Sequence, residues 1–196
     1  MSRLRCEISE NADDHAQLRQ RVEAAIGHIP DFPFKGFPFR DVTPLLEADE
    51  SLFRGIIDWF VDRSKLTELD CVLCIESFGY VFGAPVAYLV GARLVLARRA
   101  GKLPRSVHRQ DYDMVYAKGR ALEVHENAMR PGDRVLIIDD VLASGGSALA
   151  AVSLIEKAKA ACVGIACVAD AAFLSDWRDR VELASRGFPI VALANL

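Results

Sequence analysis

The residues with the clearest chemical bearing lie together in Val135-Leu-Ile-Ile-Asp139-Asp140-Val-Leu-Ala-Ser144-Gly145-Gly146-Ser147-Ala148. A β-rich apolar run delivers two adjacent carboxylates, and a loop of small residues follows at once and opens a helix. In open α/β sheets ligands bind beyond the C-terminal edge of the strands. Gly145 and Gly146 can take backbone angles closed to other residues and leave room for a ligand to approach the main chain. Exposed amides and a helix N-terminus attract a phosphate dianion, and Ser144 and Ser147 add hydroxyl donors. Two acids would repel a phosphate bound alone. They suit a ribose whose vicinal hydroxyls lie over Asp139 and Asp140 while its phosphate lies over the glycines. No G-x-x-x-x-G-K-[ST] occurs, and no strand leads into G-x-G-x-x-G, which argues against nucleotide triphosphatases of the P-loop kind and against dinucleotide binding.

The elements that must position this loop can be read from periodicity. Cys71 to Ile75, Leu94 to Ala97, Arg134 to Ile138 and Val163 to Val168 are short apolar runs that predict buried strands, with helices at Tyr80 to Val90 and Ser147 to Lys159 between them. Such alternation implies an α/β fold with a doubly wound, mostly parallel sheet. Leu18, Val22, Ala25, Ile26 and Ile29 recur at helical spacing behind Asp13 and Asp14, and Pro30 ends the pattern. A second helix is expected from Glu50 to about Leu66, with Leu52, Ile56, Trp59 and Phe60 inward. Residues 31 to 46, punctuated by Pro33, Pro38 and Pro44, predict an ordered loop with apolar anchors and no regular element. The stretch from Arg98 to Glu126 is polar, with a strand expected only at Arg120 to His125, and its length suggests a functional lid.

The 196 residues, 52% hydrophobic and 26% charged, suit one domain with a sizeable core. A net charge of -3 and a pI near 5.8 supply no global basic field for nucleic acid. No apolar run reaches the roughly 18 to 20 residues that span a bilayer, and Met1 to Ala16 lacks the layout of a secretory signal. A cytoplasmic protein with no membrane and no nucleic-acid partner is expected. Five sparse cysteines, Cys6, Cys71, Cys74, Cys162 and Cys167, read as reduced thiols. Cys71 and Cys74, three apart in a strand, should point to opposite faces and so cannot share a metal.

The segment from Val135 to Ala148 resembles the 5-phosphoribosyl 1-pyrophosphate (PRPP) signature of type I phosphoribosyltransferases, and other segments over roughly residues 15 to 170 resemble the adenine phosphoribosyltransferase family. Phe32-Pro-Phe-Lys-Gly-Phe-Pro-Phe-Arg40-Asp41-Val-Thr-Pro is similar to that family's base-covering F-P-x-x-G-x-x-F-R-D-[IV]-[ST]-P. Cys74-Ile-Glu76-Ser77-Phe78-Gly79-Tyr80 resembles its pyrophosphate loop E-S-R-G-F, and Ala97-Arg98-Arg99-Ala-Gly101-Lys102-Leu-Pro104 resembles R-K-x-G-K-L-P, which leads into the lid. The resemblance implies one phosphoribosyltransferase domain over residues 1 to 196, with a base-covering N-terminal part (1 to 46) and a mobile lid (98 to 126).

It also implies purine salvage, adenine and PRPP giving AMP and pyrophosphate, with Mg²⁺ bound mainly through PRPP and a homodimer as the assembly. By this analogy Arg98, Asp139 and Asp140 are catalytic. PRPP would be held by Glu76, Ser77, Phe78, Gly79, Arg98, Arg99 and Lys102 on one side, and by Asp139, Asp140, Val141, Leu142, Ala143, Ser144, Gly145, Gly146 and Ser147 on the other. Phe37, Pro38, Phe39 and Arg40 would meet the base. Three departures stand out. Phe78 replaces an Arg of the pyrophosphate loop, Val115 and Ala117 in Tyr112-Asp-Met-Val-Tyr116-Ala replace the Glu and Gly of the lid pattern Y-x-x-E-Y-G, and Pro38 brings no amide hydrogen. They leave open a transferase for another nitrogenous base, or a PRPP- or nucleotide-binding regulator without turnover.

Overall fold

The computed structural model describes residues 12–64, 68–115 and 117–196. The readings made above for the first eleven residues, Cys6, the helix end at Leu66 and Tyr116 lie outside them. The chain opens with α1 (Ala12–Ala25), a two-stranded antiparallel ribbon of β1 (Gly27–Ile29) and β2 (Phe39–Asp41), the short α2 (Pro44–Glu47) and α3 (Glu50–Ser64). There follow β3 (Cys71–Ile75), α4 (Phe78–Val90), β4 (Arg93–Arg99), β5 (Val107–Met114), β6 (Ala117–His125), β7 (Arg134–Leu142), α5 (Gly146–Lys157), β8 (Ala161–Asp170), α6 (Arg178–Ser185) and β9 (Ile190–Asn195).

Seven strands form one sheet in the order β5-β6-β4-β3-β7-β8-β9, parallel from β4 to β9 and antiparallel at β5 and β6. Because side chains alternate along a strand, β3 sends Val72 and Cys74 into one apolar cluster and Cys71, Leu73 and Ile75 into another. The first cluster is closed by Val22 of α1, by Leu52, Ile56, Trp59 and Phe60 of α3, and by Phe82 and Val86 of α4. The second is closed by Ala151, Leu154 and Ile155 of α5 and Leu183 of α6. Helices therefore cover both faces, as expected. Cys71 and Cys74 lie in opposite clusters, and burial pushes their thiols up to about 11 and about 12.

Two expectations need correction. The stretch from Arg98 to Glu126 holds a β5–β6 hairpin paired from Val107↔His125 to Met114↔Ala117, where one strand was expected. Its polar residues alternate because only one face is covered, and alternation of polar with half-buried side chains is a weak signal. The segment from 31 to 46 is also more regular than its prolines suggest. Phe39 to Asp41 pair with Gly27 to Ile29, and Pro44 starts α2, where its missing N–H costs nothing.

Candidate functional site

The chain turns in opposite directions at two neighbouring parallel strands. From β3 it passes through α4 to β4 on one side, and from β7 through α5 to β8 on the other. A crevice must open between the loops that follow β3 and β7. A cleft of about 340 Å³ lies there, and its lining draws on both loops, the segment from Phe37 to Val42, the β5–β6 hairpin and the turn after β8.

Strand β7 carries the acid pair. Its ladder with β3 ends at Cys74↔Ile138, whereas its ladder with β8 continues to Leu142↔Asp170. Asp139 and Asp140 therefore sit in a strand bonded on one side only, which runs past the end expected at Ile138 to Leu142. Asp139 is buried, and its Oδ1 accepts the Asp140 N–H at 3.0 Å. Burial, and then repulsion from the Asp140 carboxylate, push the Asp139 carboxyl well above the usual carboxylate range. Burial also raises Asp140. Strongly perturbed carboxyls in a cleft are the electrostatic pattern of a functional site.

After the acids come Ala143, Ser144, Gly145, Gly146 and Ser147, all on the cleft wall. Gly145 has φ +88, and an added Cβ would stand 3.0 Å from Leu183 Cδ1 and 3.1 Å from the Arg180 nitrogen. Glycine is required twice over, by the left-handed backbone and by the approach of α6. At Gly146 a Cβ would collide with the carbonyl oxygen of Asp113, so the hairpin rests directly on the start of α5. The loop is braced from behind by Arg180, which donates to the Leu142 carbonyl at 3.1 Å and pairs with Asp170 at 2.8 Å. Sequence reasoning missed Arg180, which lies outside every motif.

Opposite this loop stand Glu76, Ser77 and Phe78. Burial pushes the Glu76 carboxyl upward, but the Arg99 N–H, the Arg99 guanidinium and Arg98 outweigh it and hold the group below its usual range. The Arg99 Nε–Glu76 Oε1 separation is 2.8 Å, and Arg98 Nε lies 3.6 Å from Oε2. Of the two arginines, Arg99 lines the cleft. Arg98 donates to the Lys102 carbonyl at 3.2 Å, and neither it nor Lys102 forms part of the wall. Gly79 and Leu142 sit behind the lining. A Cβ on Gly79 would come within 2.7 Å of the Ile138 carbonyl, so this glycine lets α4 pack on β7.

The third wall is Phe37, Pro38, Phe39 and Arg40, continued by Asp41. An edge-on contact between Phe32 and Phe39, with centroids 5.0 Å apart, pins the segment, and the Phe32 N–H donates to the Phe37 carbonyl at 3.2 Å. The Arg40 guanidinium lies 5.8 Å from the centroid of Phe173, within cation–π range. Phe173 and Leu174, in a 3₁₀ turn at Ala172–Leu174, line the cleft beside Ala171. Tyr112, Met114 and Arg120 join from the hairpin. None of these six was singled out from the sequence as meeting a ligand; only the alternation at 112 and 114 offered a signal.

The adjacent carboxylates of Asp139 and Asp140 in the cleft, with no group of three metal-ligating side chains among the described residues, are a donor set that fits Mg²⁺. That ion takes one or two carboxylates and completes its shell with water and substrate oxygens.

An open α/β sheet with an acid pair and a glycine loop lining one cleft at its switch point defines the doubly wound class of proteins, which bind their ligands at that edge. Residues 46–193 match the phosphoribosyl transferase domain. The adenine phosphoribosyltransferase of Anaeromyxobacter dehalogenans is 47% identical over 161 residues, 82% of this chain and 92% of that protein. In structure, adenine phosphoribosyltransferase from Rhodothermus marinus has a TM-score of 0.82 at 34% identity, covering 92% of this chain and 99% of the other. The Giardia lamblia enzyme, complexed with 9-deazaadenine, scores 0.84 at 32% identity over 90% and 97%. The chain belongs to the phosphoribosyltransferase family and, within it, groups with the adenine phosphoribosyltransferases.

Proposed function

We propose that the protein forms AMP and pyrophosphate from adenine and PRPP, as a purine-salvage enzyme. The observation that carries this is the convergence of acid pair, phosphate loop and base-covering segment on one cleft. In this reading Asp139 and Asp140 accept hydrogen bonds from the ribose hydroxyls, which would relieve the penalty of their burial. The amides and hydroxyls from Ala143 to Ser147 hold the 5-phosphate at the start of α5. Phe39 and Phe173 flank the base, and Arg40 is held between that pocket and the C-terminal turn by its contact with Phe173.

Reaction breaks the C1–O bond to pyrophosphate, which leaves with the electron pair, and forms a bond from C1 to a purine ring nitrogen, whose proton passes to water. Positive charge grows on the ribose and negative charge on the leaving group, so positioning and charge stabilisation suffice without a covalent nucleophile. Mg²⁺, held by PRPP oxygens with Asp139 and Asp140 alongside, would supply neutralisation of the pyrophosphate charge. Arg99 faces that charge from the other wall, with Arg98 and Lys102 outside the lining.

A second reading, transfer to a different base, is favoured by Pro38, which lines the cleft without an N–H to offer. Pyrophosphate release from PRPP, measured with adenine, guanine and hypoxanthine separately, tests both. Release with adenine is expected; release only with another base would move the assignment within the family, and release with none would remove it.

We further take residues 1–196 as one functional unit acting as a homodimer. Val81, Tyr88 and Leu89 on α4 and Leu94 and Leu96 on β4 are all exposed, Tyr88 to 86%, an apolar patch of the kind that a second copy covers. Among the described residues no helix is long and apolar enough to cross a membrane. Unpaired thiols at Cys71, Cys74, Cys162 and Cys167 suit a reducing compartment, the cytoplasm.

A further inference from the structure

We propose that Arg120 supplies the cation for the pyrophosphate of PRPP that Phe78 does not provide. The inference rests on the phosphoribosyl-transfer reading above and adds a residue that no motif of the family marked.

Among the described residues three cations line the cleft: Arg40, Arg99 and Arg120. Arg40 is engaged with the Phe173 ring. Arg99 is tied to Glu76 by both its Nε and its backbone N–H, each at 2.8 Å. Arg120, on the exposed hairpin, has no hydrogen bond or ion pair with any described residue. Arg40 likewise makes no hydrogen bond or ion pair with a described residue, but its guanidinium lies over the Phe173 ring, whereas nothing among the described residues holds that of Arg120.

Register fixes where that charge points. Arg99 lies opposite Leu122 in the β4–β6 ladder, and Arg120 lies opposite Tyr112 in the β5–β6 ladder. Directly paired residues share a face, and so do residues two apart on one strand. Arg99, Leu122, Arg120 and Tyr112 thus project to one side of the sheet. Arg120 is the diagonal neighbour of Arg99, a relation that sets Cα atoms about 7–8 Å apart. Two guanidinium groups at that spacing can grip one polyphosphate, each by a fork of parallel donors.

Arg99 is anchored to Glu76, the first residue of the loop that ends at Phe78 on the cleft wall. Arg120 therefore serves the same wall, reaching it from the hairpin. The opposite wall is served already by the helix start and by Ser144 and Ser147.

The test is calorimetry with pyrophosphate and with AMP, both with Mg²⁺, and steady-state kinetics, on wild type, Arg120→Ala and Arg120→Lys. Loss of one charge-assisted contact should raise the pyrophosphate Kd and the PRPP KM by about tenfold or more. AMP affinity and the adenine KM should hold within about twofold, and Lys should recover part of the loss. Phe78→Arg placed in the Arg120→Ala background should restore pyrophosphate affinity, which a merely structural role for Arg120 would not allow. Unchanged pyrophosphate affinity in Arg120→Ala overturns the proposal. A loss for AMP as large as that for pyrophosphate also overturns it, because the arginine would then serve the 5-phosphate. A wild type that neither binds PRPP nor releases pyrophosphate from it sinks the parent reading instead.

Discussion

The strand-loop-helix from Arg134 to Lys157 and the hairpin from Val107 to His125 face each other across one cleft, and they are built on different principles. In the first, consecutive residues deliver acids, turn and helix N-terminus in chain order, so one wall of the site lies within fourteen residues, 135 to 148. In the second, Tyr112, Met114 and Arg120 meet the cleft only because two polar strands pair in a particular register. A locally encoded site should fail abruptly when one residue changes. A site made by pairing should change by degrees.

The largest effect expected is at Gly145. Valine there must adopt a φ of +88 and press on Leu183 and Arg180, and a non-glycine residue in such a backbone region costs on the order of 1–3 kcal/mol before any contact is counted. Gly145→Val should abolish PRPP binding by calorimetry in a chain that still shows native circular dichroism. Retained affinity would place the phosphate elsewhere and dissolve the contrast.

Next come the acids. Asp139→Ala or Asp140→Ala should each lower kcat/KM by about 10- to 150-fold, the range for a hydrogen bond to a charged partner of roughly 1.5–3 kcal/mol. If both variants keep full efficiency, the ribose assignment is wrong. Stability should move the other way. The folded Asp139 carboxyl titrates above its unfolded value, so the folded state holds more protons in the window between the two, and stability falls as pH rises through it. Asp139→Asn should flatten that decline and raise the melting temperature near neutral pH, while weakening PRPP binding. A steeper decline would mean that the charged form is favoured in the fold.

Arg180→Ala removes the brace behind the loop and leaves Asp170 half-buried without its cation. The pair keeps some solvent contact, so a loss of about 1–3 kcal/mol in urea unfolding is expected, less than for a fully buried pair. The PRPP KM should rise while the adenine KM stays. No change in either would make the brace incidental.

The smallest effect is expected in the hairpin. Val115 lies in its turn, and the cleft wall takes Met114 in its stead. Val115→Glu should change kcat with adenine by less than about tenfold, below the 10²- to 10⁴-fold typical of positioned acid-base groups. A larger rise would show that the turn closes over the base and that a lid carboxylate was the missing part.

The family resemblance pointed to residues 37 to 40; from the residues alone came the parallel α/β frame, the helix faces at Leu52, Ile56 and Phe60, the separation of Cys71 from Cys74, and the small-residue loop that follows Asp140 and opens a helix. Each rests on a short-range pattern: alternation, helical spacing, or a turn written in glycine and serine. Only the tertiary structure decided that β7 continues through the acids to Leu142, that Arg99 and not Arg98 faces the cleft, that Arg180 and Phe173 reach it from beyond β8, and that Arg120 stands beside Arg99. Those facts depend on which strands become neighbours and in what register. Register is fixed by burial summed over the whole sheet, and polar strands such as β5 and β6 carry little of it in their own residues.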